Sequence, residues 1–147
     1  MSYATYEQMT SAFGEKRVLR ALSETTQEDP EVHLERKLEA ASGFMDSYFA
    51  RRYTIPIDTS ESVSLAAMLA ECAIICALGM LSPGYTQRSE GLKEAYADCK
   101  EWLKRVSDGD AVLLDATELD SSFGVVGDSA ALISQTFHEN NRLQWLD

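Results

Sequence analysis

A stretch of nineteen mostly apolar residues, VSLAAMLAECAIICALGML at positions 63–81, limits the folds open to this chain more than any other feature. Its apolar side chains would cover nearly the whole circumference of a helix, which predicts a segment buried on all sides. A membrane span is the competing interpretation, but Glu71 lies at the centre, where an acid costs roughly 3 kcal/mol, and no basic or aromatic belt flanks the stretch. We therefore predict a central core helix over about residues 62–81 and no contact with a membrane.

A second long helix is predicted to begin at Asp29-Pro30. The Asp29 carboxylate can accept hydrogen bonds from the free N–H groups of a first helical turn, and Pro30 suits the first helical position because its missing donor costs nothing there. Apolar residues then recur at spacings of four and three, which gives one buried stripe: Leu34, Leu38, Ala41, Met45 and Tyr48. Pro56 biases its predecessor away from helical angles, so we expect this helix to span about residues 30–53.

Two further patterns complete the helical region. Thr5 followed by Gln8 is a capping-box pattern, which predicts short helices near the N-terminus. Ser82-Pro83-Gly84 ends the apolar stretch and is followed by a third long helix over about residues 86–107. The predicted fold class is therefore all-α: a bundle of three long helices with short N-terminal helices.

The C-terminal part of the chain differs in pattern and in charge. After Gly109 the helical period stops, and short Val-rich runs could add strands. Residues 108–147 contain eight acids and one base, which gives a net charge of −7 of the −11 carried by the whole chain. We divide the chain into a helical domain, residues 1–109, and an acidic, mostly extended segment, residues 110–147. This charge balance argues against generic binding to DNA phosphates, which needs clustered Lys and Arg.

No residue pattern points to catalysis, a metal or a cofactor. His33 and His138 have no neighbouring nucleophile motif, and no glycine-rich phosphate loop occurs. Cys72 and Cys76 lie four residues apart but lack the ligand set of a zinc site, so we interpret them as small buried hydrophobes. The odd count of three cysteines fits a reducing compartment. We predict no enzymatic activity and no cofactor.

The stretch SYFARRYTIPI, residues 47–57, places two arginines in an acidic chain and is interpreted as a structural corner. Three roles stay open for Arg52, the next position on the buried stripe: an ion pair with Glu71, a cation–π contact with Tyr48, or hydrogen bonds to the last carbonyls of its own helix. Arg51 points about 100° away and is expected to face solvent or a neighbouring subunit. The predicted corner residues are Tyr48, Arg52, Tyr53, Pro56 and Glu71.

The last fourteen residues, SQTFHENNRLQWLD, place apolar anchors on a polar background. This pattern is typical of an arm that becomes ordered against a partner. The candidate interface residues are Arg51 and, within this arm, Phe137, Arg142, Leu143, Trp145 and Leu146.

The sequence resembles the small head-tail connector proteins, or neck adaptors, of Mu-like phages and prophages. The most specific part of the resemblance is an Asp-Ser-Tyr-x-x-x-Arg-Tyr-x-Ile-Pro-Ile string at residues 46–57. Further matching positions are Tyr3-Ala4-Thr5, Met9, Phe13-Gly14, Leu22, Ala40, Trp102-Leu103, Val106, Gly109 and Leu113. The chain departs from the family at its end, where Phe137-His138-Glu139 stands in place of a Phe-Ser-Arg-x-x-Leu type arm.

The resemblance implies a structural subunit that is made in the bacterial host cytoplasm and becomes part of the virion neck. Such subunits assemble as a ring, expected to contain twelve copies, beneath the portal protein. The ring extends the DNA channel without specific binding to DNA and offers a docking surface to a tail terminator or stopper protein. The alternative hypothesis is a small acidic adaptor that binds a host or phage protein through its C-terminal tail.

We predict that deletion of residues 134–147 leaves the monomer folded but weakens its assembly, because the arm's anchors serve a partner rather than the core. Circular dichroism melts and sedimentation of the full and truncated chains test this. Loss of the helical unfolding transition in the truncated chain would contradict it.

Overall fold

Helices make up most of the structure, a computed structural model that describes residues 1–23, 29–81 and 90–119. Within these ranges there are five helices and no β-sheet: α1 Tyr6–Phe13, α2 Glu15–Ser23, α3 Pro30–Phe49, α4 Val63–Met80 and α5 Glu90–Asp108. The predicted all-α class with three long helices is confirmed. Residues Met1–Thr117 form one compact unit. The prediction that short strands follow Gly109 is wrong for residues 111–119, which form no strand, and its remaining part, after residue 119, lies outside the described residues. The predicted division at residues 109/110 stays a prediction.

The helix starts follow the capping patterns in the sequence. At α1, the Gln8 backbone N–H donates to Thr5 Oγ1 at 3.2 Å, and the Thr5 N–H donates to Gln8 Oε1 at 2.9 Å, which completes the predicted capping box. Asp29 caps α3, with Pro30 in the first turn as expected. Ser62 caps α4 by accepting from the Leu65 N–H at 3.3 Å.

The core lies between the three long helices, each of which contacts the other two, while α1 and α2 pack against α3. The stripe predicted on α3 is buried at Leu34, Leu38, Ala41 and Met45. Helices α4 and α5 approach closely at Gly79, where an added Cβ would lie 2.6 Å from Cγ of the Tyr96 ring. A side chain at this position would overlap the Tyr96 ring, so the ring or the helix that carries it would have to shift.

The helix α3 ends at Phe49, so the prediction that it continues to Tyr53 is four residues too long. The backbone instead turns after Phe49, whose carbonyl accepts from the N–H groups of both Arg52 and Tyr53. The Thr54 N–H then donates to the Thr117 carbonyl at 3.0 Å, and the buried Tyr53 hydroxyl accepts from the Leu113 N–H at 3.0 Å. Tertiary hydrogen bonds to the chain after α5 replace the helical ladder well before Pro56.

The prediction that α4 is buried on all sides is also wrong. Only half of Val63–Met80 is buried within the fold, and the exposed residues share one side of the helix. We call this side the α4 face: Val63, Ser64, Ala67, Met68 and Glu71. By length and composition α4 is the one described helix that could cross a membrane, yet its other side forms the centre of the bundle.

We predict that Gly79→Ala lowers the free energy of unfolding by about 1–3 kcal/mol, because the new methyl group overlaps the Tyr96 ring. Gly43→Ala is the matched control: an added Cβ at Gly43, on the exposed side of α3, meets nothing within 4 Å. Ala is the better helix former, so this control should stabilise the protein by about 0.5–1 kcal/mol. Urea unfolding of both variants tests the pair, and equal effects of the same sign would contradict the close approach.

Candidate functional site

The Tyr3 hydroxyl lies at the centre of a network that joins the N-terminal segment to the corner after α3. It donates to the Asp46 carboxylate on α3 and accepts from the Ile57 N–H at 2.9 Å. The Tyr3 backbone N–H donates to Ser42 Oγ at 2.9 Å, and the buried Ser42 hydroxyl donates to the Leu38 carbonyl at 2.9 Å. Three segments distant in sequence are therefore held by hydrogen bonds of one tyrosine.

The pKa of Tyr3 is raised well above its ordinary value. Burial is the main cause because it disfavours the phenolate, and the hydrogen bond to the Asp46 carboxylate adds to it since the neutral hydroxyl is the donor. The network therefore requires a protonated tyrosine.

Arg52 connects the corner to the C-terminal end of α5. Its Nη1 donates to the carbonyls of Val106 and Ala111, both at 3.3 Å, and its guanidinium lies over the Tyr53 ring with Cζ 5.5 Å from the centroid. A cation at this end is favoured because the last carbonyls of a helix carry partial negative charge. Gly109, at φ 92°, lets the chain pass close by: a Cβ there would lie 3.6 Å from Arg52 Nη1.

Of the three roles left open for Arg52, the contact with helix carbonyls is the closest to what the structure shows, but the helix is α5 rather than α3. The aromatic ring beneath the guanidinium is Tyr53 rather than Tyr48. Among the described residues Arg52 forms no ion pair with Glu71, which is exposed on the α4 face. Tyr48 instead packs edge-to-face on Phe44, with ring centroids 5.2 Å apart.

Arg51 is exposed, as predicted, but it takes part in a surface ion pair. Its Nη1 lies 3.3 Å from Asp108 Oδ1 at the end of α5. Such exposed pairs contribute at most about 1 kcal/mol, so the pair leaves Arg51 available to exchange partners at low cost. Its role in an interface stays a prediction. The arm residues Phe137, Arg142, Leu143, Trp145 and Leu146 lie outside the described residues.

The α4 face is the clearest candidate for contact with another protein. Val63 is 87% exposed and Met68 39% exposed. Beside them, the chain after α5 presents Val112 and Leu114, which are 55% and 76% exposed, while Leu113 between them is buried. Large apolar side chains that cluster on a surface in this way are typical of interaction sites.

Three grooves border the α4 face. A groove of about 230 Å³ lies between α4 and the chain after α5, and its lining includes Met68, Val112 and Leu114. A cleft of about 410 Å³ lies between α4 and α5, and a groove of about 390 Å³ lies between α1 and α4. The side chain of Glu71 lines both of the larger ones. The face thus offers recesses into which side chains of a partner could insert.

The three cysteines meet in the core beside the cleft. The sulfur atoms of Cys72, Cys76 and Cys99 all lie within 4.8 Å of one another, and Cys72 is paired with Cys99 as a disulfide across α4 and α5. The interpretation as small buried hydrophobes therefore holds for Cys76, which is a free buried thiol, but is wrong for Cys72, which is bonded to Cys99. The spacing of the cysteines in the sequence did not indicate this pair.

Comparison with known proteins identifies the family of this chain. A family model described as Bacteriophage Mu, Gp36 matches residues 3–122. The chain is also similar to "Gene product J" of Escherichia phage Mu, with 28% identity over 112 residues that make up 74% of each chain. These matches and the helical fold define a small phage protein of structural type. Because the family match covers most of its length, the protein belongs to the bacteriophage Mu Gp36 family, which confirms the resemblance to a Mu-like family.

We predict that Tyr3→Phe lowers the free energy of unfolding by about 1–3 kcal/mol at pH 8, because Asp46 and the Ile57 N–H lose their partner. Since the pKa of Tyr3 is raised in the folded state, its contribution is complete below the unfolded value of about 10 and is lost as pH rises above it. The difference between wild type and variant should therefore shrink between pH 8 and pH 11.

Denaturant unfolding at the two pH values measures this difference. Tyr48→Phe is the control, since the Tyr48 ring packs on Phe44 and its hydroxyl makes no hydrogen bond to any other described residue. A gap that is constant with pH would show that the Tyr3 hydroxyl does not hold the network.

Proposed function

We propose that this protein is a structural head-tail connector subunit of a Mu-like phage, without enzymatic activity. In this proposal it is assembled in the host cytoplasm and forms a ring, expected to contain twelve copies, beneath the portal protein in the virion neck. The ring extends the DNA channel and provides the docking surface for a tail terminator or stopper protein. Family membership supports a phage component, and the α4 face is the observation that carries the proposal of assembly.

The α4 face supports assembly because its exposed apolar side chains have no role in the fold of a single subunit. The helix carries apolar residues around almost its whole circumference, yet the fold buries only half of its residues and leaves Val63, Ala67 and Met68 exposed. Each buried apolar Å² contributes roughly 25 cal/mol, so a second protein surface over Val63, Met68 and Leu114 would be stabilised by the same effect that forms the core. A bilayer is a poorer match, because the opposite side of α4 is packed within the bundle.

A ring requires heterologous contacts, in which one surface of a subunit meets a different surface of its neighbour. The molecule offers two chemically distinct surfaces. The α4 face is mostly apolar, whereas the end of α5 presents the exposed Arg51–Asp108 pair. We propose that the α4 face is covered by a neighbouring subunit, with the arm of residues 134–147 as a further contact to a subunit or to the portal.

Charge fits a channel through which DNA passes. The net charge of −11 repels phosphate, so DNA would move along such a ring without being held. The acidic segment, residues 110–147, which includes Asp110 and Asp115, could supply part of the channel lining.

We predict that Met68→Glu prevents ring formation and leaves a folded monomer, because it places a charge at the centre of the apolar face. Val32→Glu is the matched control: Val32 is 48% exposed, on α3 and away from this face, so the same change should leave assembly intact. Electron microscopy and sedimentation of the purified protein and of virion necks measure the outcome.

A protein that is monomeric both when purified and in virions would overturn the connector proposal. A defined one-to-one complex with another protein, together with absence from virions, would favour the adaptor alternative. Rings of Met68→Glu that match the wild type would show instead that another surface forms the interface.

A further inference from the structure

The three cysteines form a cluster that the proposed function does not use. Two of them, Cys72 and Cys76, lie one turn apart on α4, and Cys99 faces them from α5. The structure pairs Cys72 with Cys99 as a disulfide, and their Cα atoms are 6.2 Å apart, within the usual range for such a bond. The two cysteines are 27 positions apart in sequence, so the bond closes a substantial loop.

We propose that the Cys72–Cys99 disulfide is reversible: the reduced pair is a thiol-modification site, at which reaction with a small-molecule disulfide such as oxidised glutathione restores the link between α4 and α5, while Cys76 remains a thiol. Contact with the cleft distinguishes Cys72 and Cys99 from Cys76.

The cleft between α4 and α5 gives a reagent access to this pair. Cys72 and Cys99 line the cleft of about 410 Å³, together with Trp102 and Met68; Cys99 is partly buried, whereas Cys72 is only 4% exposed, so a reagent meets Cys99 first. Cys76 is fully buried and does not line the cleft. Burial also raises the pKa of the Cys76 thiol to about 11, which leaves little of the reactive thiolate near neutral pH.

The exchange proceeds in two balanced steps. The Cys99 thiolate attacks one sulfur of the reagent, so that a Cys99–reagent disulfide forms, the reagent's own S–S bond breaks and one thiolate leaves. The Cys72 thiolate then attacks the Cys99 sulfur and releases the second reagent thiolate. The two protons lost by the protein thiols go to the two released thiolates. Overall, two protein thiols are oxidised and one disulfide reagent is reduced to two thiols.

A soft metal ion is the competing occupant of three adjacent sulfur atoms, and the surroundings disfavour it. Three thiolates around a divalent ion would leave a net charge of −1 in an apolar site, and charge there is costly unless it is compensated. The cationic group identified near Cys76 is Lys100, and the cleft itself carries the carboxylates of Glu71 and Asp98. A disulfide is neutral, so it avoids this cost.

The location gives the bond a consequence that rests on the proposed function. A subunit made in a reducing cytoplasm would assemble with free thiols, and the bond would form after the virion reaches an oxidising medium. It would then fix the spacing of α4 and α5 beneath the α4 face. The chemistry of the site is tested on the purified protein and does not depend on whether rings form.

To test this, the full-length protein is reduced, the reductant is removed and oxidised glutathione is added. We expect intact mass spectrometry to show loss of two hydrogens with no retained glutathione, and peptide mapping to join residues 72 and 99. The melting temperature should rise by about 5–10 °C, as expected for closure of a loop of this length. Cys76→Ala should behave like the wild type, whereas Cys72→Ala should retain one glutathione.

Several results would overturn the proposal. These are a bond that includes Cys76, loss of the cross-link in Cys76→Ala, or thiols at positions 72 and 99 that stay unreacted while circular dichroism shows a folded protein. Stoichiometric binding of Cd²⁺ to the reduced wild type that is lost in Cys76→Ala would assign the cluster to a metal instead. Absence of rings with a normal cross-link would count against the connector role alone.

Discussion

The hydrogen bonds of a single half-buried tyrosine join the N-terminal segment, α3 and the corner that follows it. The Tyr3 hydroxyl is donor to Asp46 and acceptor from Ile57, so it fixes where the chain leaves α3 and where it turns toward α4. Arg52 fixes the other side of the same corner by holding the end of α5. A polar group that is shielded from water is costly when it has no hydrogen-bond partner, so the hydrogen bonds of Tyr3 and Arg52 depend on one another.

The string at residues 46–57, on which the resemblance to the family mainly rests, therefore holds the fold together. Asp46, Arg52, Tyr53 and Ile57 all belong to it, and each contacts a residue far away in sequence. An arginine pair in an acidic chain suggests a site for an anion, but Arg52 meets backbone carbonyls and Arg51 meets a carboxylate. The basic residues are used to close the structure on itself.

Local sequence patterns correctly predicted the helix starts and the buried side of α3. The capping residues Thr5 and Asp29 and the stripe on α3 gave the helix starts and the buried side correctly, because these depend on neighbours within a few residues. The end of α3 was missed because Tyr53 and Thr54 take partners about sixty residues away, which no local pattern reveals. The exposed side of α4 was missed for a related reason: apolar composition shows that a surface will be covered, but not whether the same chain covers it.

After α5, adjacent residues alternate between the surface and the core. Leu113 is buried and its N–H is bound by Tyr53, whereas Val112 and Leu114 on either side point away from the core and border the α4 face. A substitution at Leu113 would therefore lower the free energy of unfolding, whereas substitutions at Val112 or Leu114 would mainly change the shape of the exposed surface. Substitutions at Val112 and Leu114 could therefore let related phages bind different partners while the fold of the subunit stays the same.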